Sequence, residues 1–197
     1  MSATVRQFHP VDMAGVYRVC ARVDGAGRPA PLPHANDDFP GHLYAGPYAT
    51  ADPGLAFVLV DADGVGGYIV ATADAAAFRV WAETFWWPPL RSQYPPDGSD
   101  PVAVFHRGFF PVGPELARHP AQLHMKIDPR FQGRGWGRAL IERCTAELRR
   151  RDVPGVHLMV AGQNRHAIGF YRRLGFTEAV RHPSGRTFVL DLSRGSP

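Results

Sequence analysis

Lysine is almost missing from this chain of 197 residues: Lys126 is the only one, and every other strongly basic side chain is arginine. Cysteine is scarce as well. Cys20 and Cys144 both fall in apolar stretches of helical spacing, which reads as two buried free thiols rather than a disulfide framework. No stretch approaches the roughly eighteen apolar residues that a membrane-spanning helix needs, so no membrane partner is expected. The opening "MSATVRQFHP" lacks a basic segment followed by an apolar one, so no secretory signal is expected and a cytoplasmic location follows. Internal repeats and low-complexity segments are absent too. What is present suits a globular protein: 45% apolar and 20% charged residues, in a length that supports one sizeable core and is short for two. A single domain over 1–197 is expected. The net charge of +4 permits an anionic partner without choosing one, and nucleic-acid binding would rest on that charge alone.

Periodicity places the elements. Residues 3–9 read as a strand, and "DMAGVYRVCARV" spaces Met13, Val16, Val19, Cys20 and Val23 along one face of a helix over about 11–23. Two β-rich runs flank Asp61-Ala62-Asp63-Gly64, a strong hairpin signal. A helix over 74–86 is started by Asp74. Further on, "AQLHMKID" reads as a strand at 122–128, and "WGRALIERCTAELRRR" as a helix with Leu140, Ile141, Cys144 and Leu148 on one stripe. "GVHLMVAG" reads as a strand at 156–161, "NRHAIGFYRRLGF" as a helix ended by Gly175, and "RTFVLDL" as a closing strand. Two stretches rich in Pro and Gly, about 24–54 and 87–120, read as irregular insertions.

The segment "RFQGRGWGRAL" lies between a strand and a helix. A helix N-terminus carries unpaired N–H groups and a partial positive charge. Gly133, Gly135 and Gly137 let the backbone turn tightly and let an anion reach those groups without meeting a Cβ. Arg130, Arg134 and Arg138 crowd the same positive end, where a cation costs about 0.3–1 kcal/mol, and a bound anion would reverse that cost. A glycine-rich turn with solvent-exposed arginines is the alternative.

Two familiar phosphate loops do not fit. A magnesium nucleotide loop needs G-x-x-x-x-G-K-[ST], and no Lys or Ser/Thr follows these glycines. A dinucleotide loop needs G-x-G-x-x-G and an acidic residue further on, whereas this spacing is G-x-G-x-G and "GVHLM" follows. Gln132-Gly133-Arg134-Gly135-Trp136-Gly137 instead resembles the [QR]-x-x-G-x-[GA] loop of the GCN5-related N-acetyltransferases (GNAT). "NRHAIGFYRRLGF" resembles that family's later motif, an Asn that opens a helix and a Phe-Tyr pair before Leu-Gly-Phe. More narrowly, "LYAGPY", "AFVLVDADGVGGY" and the order Trp-Pro then Gln-Tyr resemble the acetyltransferase-like C-terminal domain of animal O-GlcNAcase and its free-standing bacterial relatives. The animal domain has an eroded cofactor loop. Here Gln132, Gly135 and Gly137 are all present.

The resemblance implies an α/β fold: a central mixed, mostly antiparallel sheet flanked by helices, with splayed fourth and fifth strands. It implies acetyl-CoA as co-substrate, no metal, and transfer to the amine of a small molecule or peptide by a monomer or homodimer. The backbone of Met125, Lys126 and Ile127 would pair with the pantetheine arm, residues 132–138 would hold the pyrophosphate, and Asn164 and Phe170 would flank the arm. Asn164 and Tyr171 share a face by i, i+7 spacing, and by resemblance Tyr171 donates the proton to the leaving thiolate. The base is left open. Asp128 either accepts the amine proton or caps a turn before Pro129; His124, His119 and an ordered water are the other choices. Tyr44, Tyr48, Trp86 and Trp87 are candidates for the acceptor pocket, or for packing of the insertions. A non-catalytic acyl-CoA-binding or protein-interaction module is the alternative function on the same scaffold.

Overall fold

The computed structural model describes residues 3–24, 27, 38–98, 100–109, 112–183 and 185–193. In chain order the elements are β1 (Thr4–Gln7), α1 (Met13–Arg22), α2 (Phe39–Tyr44), α3 (Gly46–Ala51), β2 (Ala56–Asp61), β3 (Gly64–Thr72), α4 (Ala75–Trp81) and α5 (Trp87–Gln93). Then come α6 (Asp100–Arg107), β4 (Ala121–Ile127), α7 (Trp136–Arg150), β5 (Gly155–Ala161), α8 (Arg165–Arg173), β6 (Thr177–Arg181) and β7 (Gly185–Asp191). The strands form one mixed sheet in the order β1-β2-β3-β4-β5-β7-β6. Every pairing is antiparallel except β4 with β5.

The core lies on both faces of this sheet. Leu123 of β4 packs with the stripe Leu140, Ile141, Cys144 and Leu148 of α7 and with Ile168 and Tyr171 of α8. Tyr68 and Val70 of β3 pack with Val16, Val19 and Cys20 of α1 and with Tyr48 of α3. Cover on both faces explains why β2 and β3 are near-continuous apolar runs rather than alternating ones. The hairpin turns where expected: Asp63 N–H donates to Asp61 Oδ1 at 2.9 Å, and Gly64 takes φ 101°. Asp74 caps α4 by accepting from Ala76 and Ala77 N–H at 2.9 and 3.0 Å.

The expectation of irregular insertions at 24–54 and 87–120 is corrected for much of their length. Residues 39–51 form α2 and α3, and 87–93 and 100–107 form α5 and α6. Pro40, Pro47, Pro88 and Pro89, among the prolines that suggested irregularity, sit in the first turn of α2, α3 and α5, where a missing N–H costs nothing. A π-helical turn, Ala82–Trp86, joins α4 to α5, and β6 is a further strand that periodicity did not pick out. Residues 25–26 and 28–37 of the first insertion lie outside the described residues.

Candidate active site

Strands β4 and β5 pair at two positions only, Ala121 with Val156 and Gln122 with His157, and then part. Beyond Gln122 the β5-facing edge of β4 has no strand partner among the described residues, which leaves backbone polar groups available to a bound molecule. The gap opens into a cleft of about 1170 Å³, and Met125, Lys126 and Ile127 line it. The Lys126 side chain is already committed: its Nζ donates to the carbonyls of Cys20 (2.8 Å) and Val23 (2.7 Å), clamping the end of α1 to β4. Gln132 acts likewise. Its Nε2 donates to Gly27 O (2.8 Å) and Ile127 O (3.0 Å), tying the glycine loop to β4 and to the segment after α1.

The three glycines do two different jobs. Gly133 and Gly135 adopt φ of 72° and 85°, left-handed values that other residues reach only with strain. A Cβ at either would meet nothing within 4 Å. The loop therefore curls up to the start of α7 with open space beside it, where the first helical N–H groups lack partners. Gly137 is needed for close packing instead: a Cβ there would lie 2.9 Å from Phe170 Cζ and 3.5 Å from Ile127 Cδ1.

The arginine expectation is only partly met. Arg130 is held by Asp63 at 2.9 Å and Asp61 at 3.4 Å, across the hairpin turn, and its guanidinium lies over Phe131. Its charge is answered by the protein, so it needs no bound anion. Arg138 lines the cleft and reaches Glu142 at 3.4 Å. Arg134 is exposed and has no ion pair among the described residues. Trp136 packs against the α7 core and, like Arg134, is not among the cleft residues.

Opposite the loop, Asn164 caps α8 by accepting the Ala167 N–H at 2.9 Å. Asn164, Phe170 and Tyr171 all line the cleft, and i, i+7 spacing puts Asn164 and Tyr171 on one face. Tyr171 is buried against Phe170 and Phe176, with ring centroids 5.1 and 5.4 Å away. Its hydroxyl has no hydrogen-bond partner among the described residues. Burial pushes its pKa up, so the phenol keeps its proton at neutral pH and is a donor.

On the other wall, Tyr48 donates to Gln122 Oε1 at 2.7 Å, and Tyr44 stacks on His124 at 5.4 Å. Both tyrosines line the cleft; Trp86 and Trp87 do not. Trp86 Nε1 donates to His42 O, and Trp87 is fully buried with Leu90 and Phe105 in a separate core under α5 and α6. Asp128 is outside the cleft as well. Its Oδ1 accepts the Arg130 N–H at 3.0 Å and its own N–H donates to Gly66 O, so the turn reading accounts for it. His119 binds Asp191 Oδ1 at 3.1 Å and packs on Gly155, away from the cleft. His124 is within the cleft. Alternation along β4 puts Gln122, His124 and Lys126 on one face, a signal the sequence holds but that points to no role by itself. Among the described residues no three His, Cys, Asp or Glu side chains are grouped to hold a metal ion, and no helix is long and apolar enough to cross a membrane.

Comparison with known proteins gives this arrangement a family. Residues 102–178 match the family described as acetyltransferase (GNAT) domain. The crystal structure of SsHAT is similar over 98% of this chain and 100% of its own, at 35% identity and a TM-score of 0.92. The chain belongs to the GNAT acetyltransferase family. GNAT enzymes are acyltransferases that use acetyl-CoA and acetylate amines. Protein O-GlcNAcase of Rattus norvegicus is 25% identical over 202 residues, covering 97% of this chain; the chain spans 22% of that relative's length. The GNAT fold is shared with yncA of Salmonella typhimurium, solved with its cofactor acetyl-CoA, at 16% identity and a TM-score of 0.61 over 100% of this chain and 98% of that one.

Proposed function

We propose that this protein is an acetyl-CoA-dependent N-acetyltransferase acting on the amine of a small molecule or peptide. The observation that carries the reading is Tyr171: a buried phenol whose hydroxyl has no hydrogen-bond partner among the described residues, in the same cleft as an open glycine loop and a strand edge that no described strand pairs. These features fit acetyl-CoA. The Gly133–Gly135 curl has room for phosphates beside the α7 N–H groups, and the free β4 edge from Met125 to Ile127 suits the amides of an extended pantetheine arm. Asn164 and Phe170 flank that arm, and Arg134 and Arg138 are the basic side chains near the loop. When bound, acetyl-CoA would supply an activated acetyl group on a thiol leaving group. As the amine attacks the acetyl carbon and the C–S bond breaks, Tyr171 would give its proton to the departing sulfur and the proton lost by the amine would restore the phenol. Tyr44 and Tyr48 wall the acceptor side. A cytoplasmic setting belongs to the same reading, and the two free, buried thiols support it.

The base is not Asp128 in this reading, because its carboxylate serves the Arg130 turn. That withdrawal favours the second reading, a non-catalytic acyl-CoA-binding or protein-interaction module. A free-thiol assay of CoA release against amines, aminosugars and peptides separates the two. Amine-dependent release supports the enzyme. Binding of acetyl-CoA without release to any acceptor supports the module.

A further inference from the structure

The fork between β4 and β5 has a polar floor. Its last paired rung joins Gln122 to His157. Ala121 and Leu123 on β4, like Val156 and Leu158 on β5, pack into the core beside α7 and α8. Alternation therefore turns Gln122 and His157 to the opposite face, the side of Tyr48. The contacts agree: Gln122 Oε1 accepts the Tyr48 hydroxyl at 2.7 Å, and both residues of the rung line the cleft.

The His157 ring is fixed by a hydrogen bond that is made. Its Nδ1 lies 2.7 Å from the carbonyl oxygen of His119. A carbonyl only accepts, so Nδ1 carries the hydrogen, and in the neutral ring Nε2 keeps the lone pair. Burial holds the ring's pKa below that of an ordinary histidine, and the neighbouring His119 imidazole adds to this, so the lone pair is present at neutral pH. The residue is only 3% exposed, yet its Nε2 is not one of the sealed atoms without a partner, and it bonds to nothing among the described residues. The open space it meets is the cleft that the residue lines. An imidazole anchored through one nitrogen to a backbone carbonyl and open at the other is the arrangement a general base needs. Tyr171, packed with α7 and α8, lines the same cleft from the other face of the sheet.

We propose that His157 is the general base of the transfer, its Nε2 taking the proton that the acceptor amine loses. This rests on the acetyltransferase reading above. The amine nitrogen forms its bond to the acetyl carbon while the C–S bond breaks. The amine's proton goes to His157 Nε2, and Tyr171 gives its own proton to the sulfur. The imidazolium then returns its proton through solvent to the phenolate, so both side chains end as they began. Base and acid stand on opposite faces of the sheet, so the amine and the leaving thiolate are served from opposite sides of the gap.

S-Bromoacetyl-CoA tests this on the full chain without an acceptor. A bare nitrogen beside the acetyl position attacks the CH2 carbon, bromide leaves, and the nitrogen is marked. The expected adduct is on the peptide carrying His157, is prevented by excess acetyl-CoA, and yields on acid hydrolysis a histidine carboxymethylated at Nε2. An adduct at Nδ1, an adduct only on another residue, or no adduct while the reagent still raises the melting temperature overturns the proposal. The free-thiol assay reads the function. His157→Asn keeps an N–H donor for the His119 carbonyl, His157→Gln places an amide toward the Nε2 position, and neither is a base. Both variants are expected to release CoA roughly 10²–10⁴-fold more slowly while keeping the rise in melting temperature with acetyl-CoA. A wild-type rate in His157→Asn leaves the histidine a structural clamp and overturns the proposal. A wild-type chain that acetyl-CoA does not stabilise, or that releases CoA to no acceptor, overturns the acetyltransferase reading instead.

Discussion

Gly137 at the start of α7 and Phe170 in α8 touch so closely that a Cβ on residue 137 would lie 2.9 Å from Phe170 Cζ. The glycine loop and the later helix are therefore one packed unit with the cleft beside it. Gly137→Ala forces the ring aside and is expected to cost about 1–3 kcal/mol, the usual price of overpacking. Phe170→Leu in the same chain makes room and recovers part of that loss. Urea unfolding of the two single variants and the double variant checks this, and strict additivity would show that the residues do not share a contact.

The arginines near the loop divide by their partners. Arg130 is occupied by Asp61 and Asp63, so Arg130→Ala is expected to leave acetyl-CoA affinity within about twofold while loosening an exposed ion pair worth at most ~1 kcal/mol. Arg134→Ala, at a side chain with no ion pair among the described residues, is expected to weaken binding several-fold, and more at low salt than at high salt. Titration calorimetry at two ionic strengths separates them.

Tyr171→Phe removes a hydroxyl that bonds to nothing among the described residues, so stability should barely change. Turnover should fall by roughly 10²–10⁴-fold, the range for a lost general acid, with acetyl-CoA affinity kept. An unchanged rate of CoA release removes Tyr171 from the chemistry.

The buried imidazole sets a pH dependence of stability. His124 titrates near 3 in the folded chain against 6.5 for an ordinary histidine, so below about 6.5 the unfolded chain takes up a proton that the folded one refuses. Stability is fully present above that pH and is lost as the pH falls toward 3, by about 1.4 kcal/mol for each pH unit. His124→Phe should flatten that limb in denaturant melts. At the alkaline end Tyr48, Tyr68 and Tyr171 all titrate above an ordinary tyrosine because they are buried, so stability falls once the pH rises past about 10.

Much of the glycine-loop side of the cleft is legible in the sequence because its signals are local. Glycines before a helical stripe mark the loop, Asn164 marks a cap, and seven-residue spacing aligns it with Tyr171. The opposite wall is less legible. Pro40, Pro47, Pro88 and Pro89 read as breakers, yet a first-turn proline is compatible with a helix, and only tertiary packing shows which case holds. Asp128 reads equally as a base or as a turn residue before Pro129 until the fold shows what faces it. Trp86 and Trp87 are adjacent aromatics, and the burial of Trp87 with Leu90 and Phe105 depends on two helices, α5 and α6, that periodicity did not reveal. The His124 ring packs against Tyr68, 56 positions earlier by number, with ring centroids 5.9 Å apart, and no local pattern links the two.

The most direct test of acetyl-CoA binding at the glycine loop is the melting temperature with and without acetyl-CoA, in the wild-type chain and in Gly135→Glu. Ligand at a hundredfold above its dissociation constant stabilises the folded state by about 2.7 kcal/mol, so the wild type should melt higher. The Glu carboxylate would occupy the open space beside the loop, so the variant should fold, at a cost of about 1–2 kcal/mol from its left-handed backbone, and show no rise. A wild-type chain that does not respond to millimolar acetyl-CoA, or a variant that responds equally, would contradict the account.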